Sequence, residues 1–210
     1  MSAADATFWN ELAEDYARKP VELPAAFERK ISITRALMRP DHVVLDIGCG
    51  TGSLVLRLAD GAQQVHGLDL SSEMVRIARH KTEVQGVDNA TFHVGPFDDE
   101  VPFDDASLDG LCAYSLLHLL EDREAALARI FRLLKPGGFF VSSTVVLGET
   151  WIPYRPVLAV MRWLGKAPLV TIFDKATLKA ELAAAGFVGI EEHEVGAKPT
   201  TAFLVAHKPE

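Results

Sequence analysis

Between Val44 and Leu54 the chain reads Val-Leu-Asp-Ile-Gly-Cys-Gly-Thr-Gly-Ser-Leu, an apolar run that meets an acid and then three glycines at alternate positions. Such a run is a buried strand ending where the backbone must pass close to a ligand, because glycine has no Cβ and tolerates positive φ. The acid ahead of the glycines narrows the choice of ligand. A turn that cradled a pyrophosphate would not welcome a carboxylate, so this one suits a ligand bearing positive charge or hydroxyls.

The pattern around the turn extends it into an α/β fold. Phe8, Leu12 and Tyr16 recur at helical spacing, as do Phe27, Ile31, Thr34 and Met38, with Pro20 and Pro24 between the two groups. The sequence then predicts a strand over His42 to Ile47, a helix over Ser53 to Ala59 and a strand over Val65 to Leu70. Ser71 or Ser72 caps a helix with Met74, Ile77, Ala78 and Val84 on one face. Strands follow over Thr91 to Val94 and Leu108 to Tyr114, then a helix over Ala125 to Leu134 that stops at Lys135-Pro136-Gly137-Gly138. Phe139 to Val146 has the composition of a central strand. Beyond a Pro- and aromatic-rich stretch with a possible helix over Val157 to Leu164, Asp174 caps a helix that ends at Gly186. Val188 to Val195 and Thr201 to His207 form a hairpin, which makes the last strand antiparallel. Strands separated by helices imply a parallel sheet covered on both faces, a three-layer α/β sandwich.

Composition excludes several classes of partner. Lys and Arg number 21 against 29 Asp and Glu, a net charge of −8, and no dense basic stretch offers a track for nucleic acid. The first twenty residues lack the basic-then-apolar order of a signal peptide, and no apolar run approaches the ~20 residues that span a bilayer, so no membrane partner is expected. Two cysteines, Cys49 and Cys112, are too few for a disulfide scaffold or a metal site. A reducing cytoplasm and a single domain over 1–210 are the simplest expectations.

Asp46-Ile47-Gly48-Cys49-Gly50-Thr51-Gly52, then Leu68-Asp69-Leu70-Ser71, then Leu133-Leu134-Lys135-Pro136-Gly137-Gly138 resemble the successive signatures of the class I S-adenosylmethionine-dependent methyltransferases. The likeness is to the small-molecule type, similar to the ubiquinone/menaquinone-biosynthesis methyltransferases. It implies a Rossmann-like, seven-stranded, mostly parallel sheet with an antiparallel terminal strand. It also implies cap helices over 1–40, a cofactor-binding core over 41–147, a lid-like insertion over 148–172 and a C-terminal helix and hairpin over 173–210. S-adenosylmethionine is then the expected cofactor and S-adenosylhomocysteine its product. Gly48, Cys49 and Gly50 would pass along the methionine part, Asp46 would face its amino group, and Tyr16 would close over its carboxylate. Asp69, followed by Leu70, would accept the ribose hydroxyls. After the third strand the chain has Gly95-Pro96-Phe97-Asp98, and Pro96 has neither a side-chain acceptor nor an N–H. The adenine edge would be read by Phe97 and Asp98 with Met74 on the ring, unless Asp98 serves only its own acidic loop. Ser115 and Leu116 would line the cofactor, and His118 would either take a proton from a substrate hydroxyl or pack and cap.

The resemblance leaves the acceptor open. Trp9, Tyr16, Tyr114, Trp151, Tyr154 and Trp163 all lie outside the first three strands, and Trp151 and Tyr154 are candidate walls of an apolar or aromatic acceptor pocket; equally, such aromatics bind a lid to the body. The Asn/Asp-Pro-Pro-Tyr of amino-methylating nucleic-acid enzymes is absent after the fourth strand, and Cys112 lacks the proline that precedes a cytosine-5 nucleophile. A small-molecule acceptor follows. The rival readings are an S-adenosylmethionine-binding regulatory module and a nucleotide-dependent oxidoreductase. The second is weakened by Ser53 where a dinucleotide turn has its third glycine.

Overall fold

The computed structural model describes residues 3–98, 100–148, 150, 154–164 and 167–210. Seven strands form one sheet: β1 (Val43–Ile47), β2 (Gln64–Asp69), β3 (Ala90–Val94), β4 (Leu108–Tyr114), β5 (Leu134–Val145), β6 (Val188–Glu192) and β7 (Thr201–His207). Their order across the sheet is β3-β2-β1-β4-β5-β7-β6. β7 alone runs against its neighbours, pairing antiparallel with both β5 and β6. β1 lies between β2 and β4, parallel to both. The chain therefore leaves β1 in two directions across the sheet, and at such a switch point the carboxyl ends of the strands open into a crevice.

Helices cover both faces. On one side α5 (Arg123–Leu133) and α7 (Lys175–Ala184) bury Leu127, Ile130, Leu178 and Leu182 against Leu45, Leu111 and Phe140 of the sheet. On the other, α2 (Pro24–Ala36) and α3 (Ser53–Leu58) bury Ile31, Leu54, Val55 and Leu58 against Val44, Val141 and Phe203. Alternate residues of one strand, Val44 and Leu45, thus serve opposite cores, as a two-sided strand requires. α1 (Ala3–Arg18) lies over α4 (Ser72–Gln85), with Ala13 packed on Met74 and Ile77. α6 (Tyr154–Trp163) lies between β5 and α7.

Capping explains several boundaries. The Ser71 hydroxyl accepts the Met74 N–H at 3.1 Å, Asp122 accepts from Ala125 at 2.9 Å, and Asp174 accepts from Thr177 at 2.7 Å. Three expectations need correction. Val84 is 72% exposed, because every buried residue of α4 falls in its first half and its last turns stand clear of the sheet. β5 begins at Leu134, so the Lys-Pro-Gly-Gly run lies within the strand rather than before it. There Lys135 pairs with Asp109, which also accepts the Val43 N–H, knitting the amino ends of β5, β4 and β1 far from the crevice. β6 stops at Glu192 after a bulge, short of Val195.

Candidate active site

The glycine turn leaves the carboxyl end of β1 with Gly48, Gly50 and Gly52 at φ of 69°, 52° and 75°. The Leu68 carbonyl accepts both the Gly48 N–H at 2.7 Å and the Cys49 N–H at 3.1 Å, which holds the turn against β2. A Cβ on Gly48 would sit 2.9 Å from Leu116 Cδ1, so β4's loop closes tightly on it. A Cβ on Gly50 would meet only the Tyr16 ring edge, at 3.8 Å, and the space above it is the floor of a cleft. Lys81 braces the far side of the turn through the Thr51 hydroxyl at 2.8 Å.

Two carboxylates lie at this turn. Asp69 accepts the Gly50 N–H through Oδ2 at 2.8 Å and the Ser71 N–H through Oδ1 at 2.9 Å. Burial pushes its carboxyl up despite those two bonds. Asp46 is 2% exposed, and its Oδ1 has no hydrogen-bond partner among the described residues. Desolvation first, then repulsion from Asp69, raises its carboxyl well above the ordinary range. An unmatched buried carboxylate oxygen is a cost that folding alone does not explain. Tyr16 overhangs the turn with a half-exposed ring, and its hydroxyl is kept protonated by desolvation and by the fields of Asp69 and Asp46.

The end of β4 supplies the opposite wall. Ser115 sits at φ 57°, a left-handed conformation that costs a non-glycine residue about 1–2 kcal/mol, and its N–H donates to the Ser143 carbonyl at 2.6 Å. That kink turns Leu116 onto Gly48 and starts the 3-10 turn Leu117–Leu119. His118, in that turn, lies 3.1 Å through Nδ1 from the Thr144 hydroxyl, and desolvation lowers it to about 4. The imidazole is neutral at physiological pH. Between these walls lies a cleft of about 350 Å³, lined by Gly48, Gly50, Leu68, Asp69, Leu70, Met74, Gly95 and Phe97. Trp9, Tyr16, Tyr114, Ser115, Leu116, His118, Leu119, Pro168 and Val170 complete it.

Residues 44–138 match a family described as a methyltransferase domain. The O-methyltransferase cnsE of Penicillium expansum is 34% identical over 170 residues, which are 80% of this chain and 59% of that protein. The uncharacterized methyltransferase YcgJ of Bacillus subtilis is 33% identical over 128 residues, 61% of this chain and 48% of its own. The YcgJ crystal structure superposes with a TM-score of 0.71 at 19% identity, covering 87% of this chain and 99% of that one. Residues 44–138 thus carry a class I S-adenosylmethionine-dependent methyltransferase domain. The fold is shared too with phosphoethanolamine N-methyltransferase 2 of Haemonchus contortus in complex with S-adenosyl-L-methionine, at a TM-score of 0.73 and 19% identity over 88% of this chain and 53% of that one. The chain spans about half to three fifths of the length of the curated relatives just named.

The methyltransferase cleft brings together most of the residues singled out in the sequence. Tyr16, Gly48, Gly50, Asp69, Leu70, Met74, Phe97, Ser115, Leu116 and His118 all line it. Asp46 lies beneath the lining and acts on the cleft by its field. Cys49 does not reach it: its thiol is buried towards the sheet beside Gly67, and its N–H is held by Leu68. Burial pushes the thiols of both Cys49 and Cys112 well up, so neither supplies a thiolate. Asp98 accepts the Glu100 N–H at 3.0 Å and lines a neighbouring depression with Arg79 and His93 rather than the cleft. Tyr154 lines a separate pocket with Arg123 and Phe173. Trp151 lies outside the described residues. Asn10 went unread in the sequence; its Oδ1 accepts the Ser71 hydroxyl at 2.6 Å and the Glu73 N–H at 3.2 Å, sixty residues away, a distance at which no local pattern carries a signal.

The donor set fits the family's cofactor. An unmatched buried acid suits an amino group, a cradle open only above Gly50 suits a close backbone approach, and apolar Met74 and Phe97 suit a flat base.

Proposed function

We propose that the chain transfers a methyl group from S-adenosylmethionine to a small apolar or aromatic metabolite, by in-line displacement. The observation that carries the reading is the pairing of Asp46 and Asp69 under and beside a glycine cradle at the sheet's switch point. The cofactor would supply a methyl group already activated by its sulfonium, so the protein's contribution is alignment and exclusion of water. Asp69, its two oxygens fixed by backbone N–H groups, is preorganised to accept ribose hydroxyls through its remaining lone pairs. Asp46 would hold the amino group and Tyr16 would cover the carboxylate. Neutral His118 places no positive charge against a sulfonium, and accepts a proton from an acceptor hydroxyl when Thr144 takes the Nδ1 hydrogen. Tyr114, Leu119, Pro168 and Val170 would give the acceptor end apolar walls.

The test is calorimetric binding of S-adenosylhomocysteine followed by incubation with labelled methyl donor and fractionated metabolites, lipids, protein and RNA. Label in a small-molecule fraction is the expected result. Label in protein or RNA overturns the acceptor class, and tight binding without any transfer makes the chain a cofactor-binding module.

A further inference from the structure

Two walls of the cleft that would face the acceptor come from distant parts of the chain. His118 and Leu119 stand on the 3-10 turn after β4, and Pro168 and Val170 on the irregular stretch ahead of α7. Thr171 joins them. Its N–H donates to the His118 carbonyl at 2.8 Å, and its hydroxyl donates to the same oxygen at 3.2 Å. That hydroxyl accepts in turn from Arg123 Nη1 at 3.2 Å. Arg123 is an unexpected residue for its place, because as the first residue of α5 it sets a cation at the positive end of a helix dipole. Tertiary contacts hold it there. Its side chain is 12% exposed, and Nε and Nη2 meet the two carboxylate oxygens of Glu181 on α7 at 2.5 Å each. Its Cζ lies 3.8 Å from the centre of the Phe173 ring. Phe173 is buried, and its carbonyl accepts the Gly148 N–H at 2.9 Å. Arg123 thus grips the stretch ahead of α7 at both Thr171 and Phe173 while lining no part of the cleft itself.

We propose that Arg123, acting through Thr171, is a positioning residue for methyl transfer, one that fixes Pro168 and Val170 against the His118 turn and so shapes the acceptor's seat. The inference rests on the transfer proposed above. A planar guanidinium presents its donors in a fixed fork, so pairing with Glu181 also fixes the direction in which Nη1 reaches Thr171. Its donor set in place, the Thr171 hydroxyl is left to point its own hydrogen at the His118 carbonyl. In-line transfer is sensitive to such placement, since a shift of about 1 Å costs roughly a hundredfold in rate. The same joint packs against the turn that holds His118, whose imidazole is kept low by desolvation and whose ring nitrogen meets Thr144. Loosening the joint therefore admits water to the imidazole. The cofactor cradle is held separately, by Leu68 and Asp69 on the glycine turn, and neither Arg123 nor Thr171 touches it.

Arg123→Met, Thr171→Val and Thr171→Ser test the proposal in the full chain. Thr171→Val keeps the side chain's shape and the Arg123–Glu181 pair and removes only the hydroxyl, which Thr171→Ser restores. Transfer of labelled methyl into the small-molecule fraction is expected to fall roughly tenfold or more in Arg123→Met and about severalfold in Thr171→Val, with S-adenosylhomocysteine affinity within about twofold of the parent. Thr171→Ser is expected to transfer like the parent. The His118 imidazole, followed by NMR and assigned by its loss in His118→Gln, is expected to titrate at about 4 in the parent and Thr171→Ser and to move towards ~6.5 in the other two variants. Transfer by Thr171→Val equal to the parent's overturns the proposal, as does a His118 titration that moves in neither variant or a Thr171→Ser that fails like Thr171→Val. Should Arg123→Met strand Glu181 and fail to fold, the two Thr171 variants decide alone. A parent that transfers no label refutes the proposed function, whereas an unmoved His118 titration refutes the joint, so the two failures are told apart.

Discussion

Asp46 concentrates the conflict between stability and function in one side chain. Its carboxyl is raised in the folded protein by burial and by Asp69, so the unfolded chain ionises at lower pH than the folded one. The stability this gives is fully present below the ordinary carboxylate range and is lost as pH rises through the raised value. Asp46→Asn is therefore expected to stabilise the ligand-free protein at neutral pH by about 1 kcal/mol or more, and to weaken S-adenosylhomocysteine binding at least tenfold. Thermal melts and calorimetry check both; a destabilised variant with unchanged affinity would make Asp46 a structural residue. His118 invites a second measurement. Lowered to about 4, it is neutral across the physiological range, so any His118-dependent limb in kcat/KM falls near that value rather than near neutrality. A limb near pH ~6.5 that disappears in His118→Gln would contradict the geometry. The positions of Gly48, Gly50 and Asp69 at the cleft and of Asp46 just behind it were legible because they follow from local spacing on β1 and β2. That Cys49 and Asp98 point away from the cleft was not, because the direction of a turn residue is decided by neighbours: Gly67 makes room for the Cys49 thiol, and the Glu100 N–H captures Asp98.

At the scale of elements, α1 is attached to the core through the start of α4. Asn10 bridges the Ser71 hydroxyl and the Glu73 N–H, while exposed Arg76 reaches Glu14 and Glu73 and adds little. Trp9 and Tyr16, both cleft residues, ride on this helix. Asn10→Ala is expected to cost about 1 kcal/mol in stability but to raise the cofactor KM several-fold, because it frees the element that covers the turn. A KM unchanged beside a lowered melting temperature would show that α1 only packs. The order of strands and helices was legible throughout from periodicity and caps. What escaped was extent: where α4 outruns the sheet its period persists with nothing to pack on, and β5 extends through Pro136 because Lys135 is anchored to Asp109.

The whole molecule divides its cleft between two levels of order. The proposed cofactor end is built by turns at the ends of β1, β2 and β4, all of them held by backbone hydrogen bonds, whereas the proposed acceptor end borrows Pro168 and Val170 from the stretch between α6 and α7. Binding to the folded state alone stabilises by roughly 2.7 kcal/mol at a hundredfold excess over Kd, and a chain of this length gains about 2–4 °C per kcal/mol. S-adenosylhomocysteine at that excess is thus expected to raise the melting temperature by about 5–10 °C. Replacing residues 150–166 by a short Gly-Ser linker should preserve that increment, since none of those residues lines the cleft among the described ones, while methyl transfer to the acceptor falls by an order of magnitude or more. If the thermal increment vanished as well, the insertion would be part of the cofactor site, and the two ends of the cleft would be one cooperative unit.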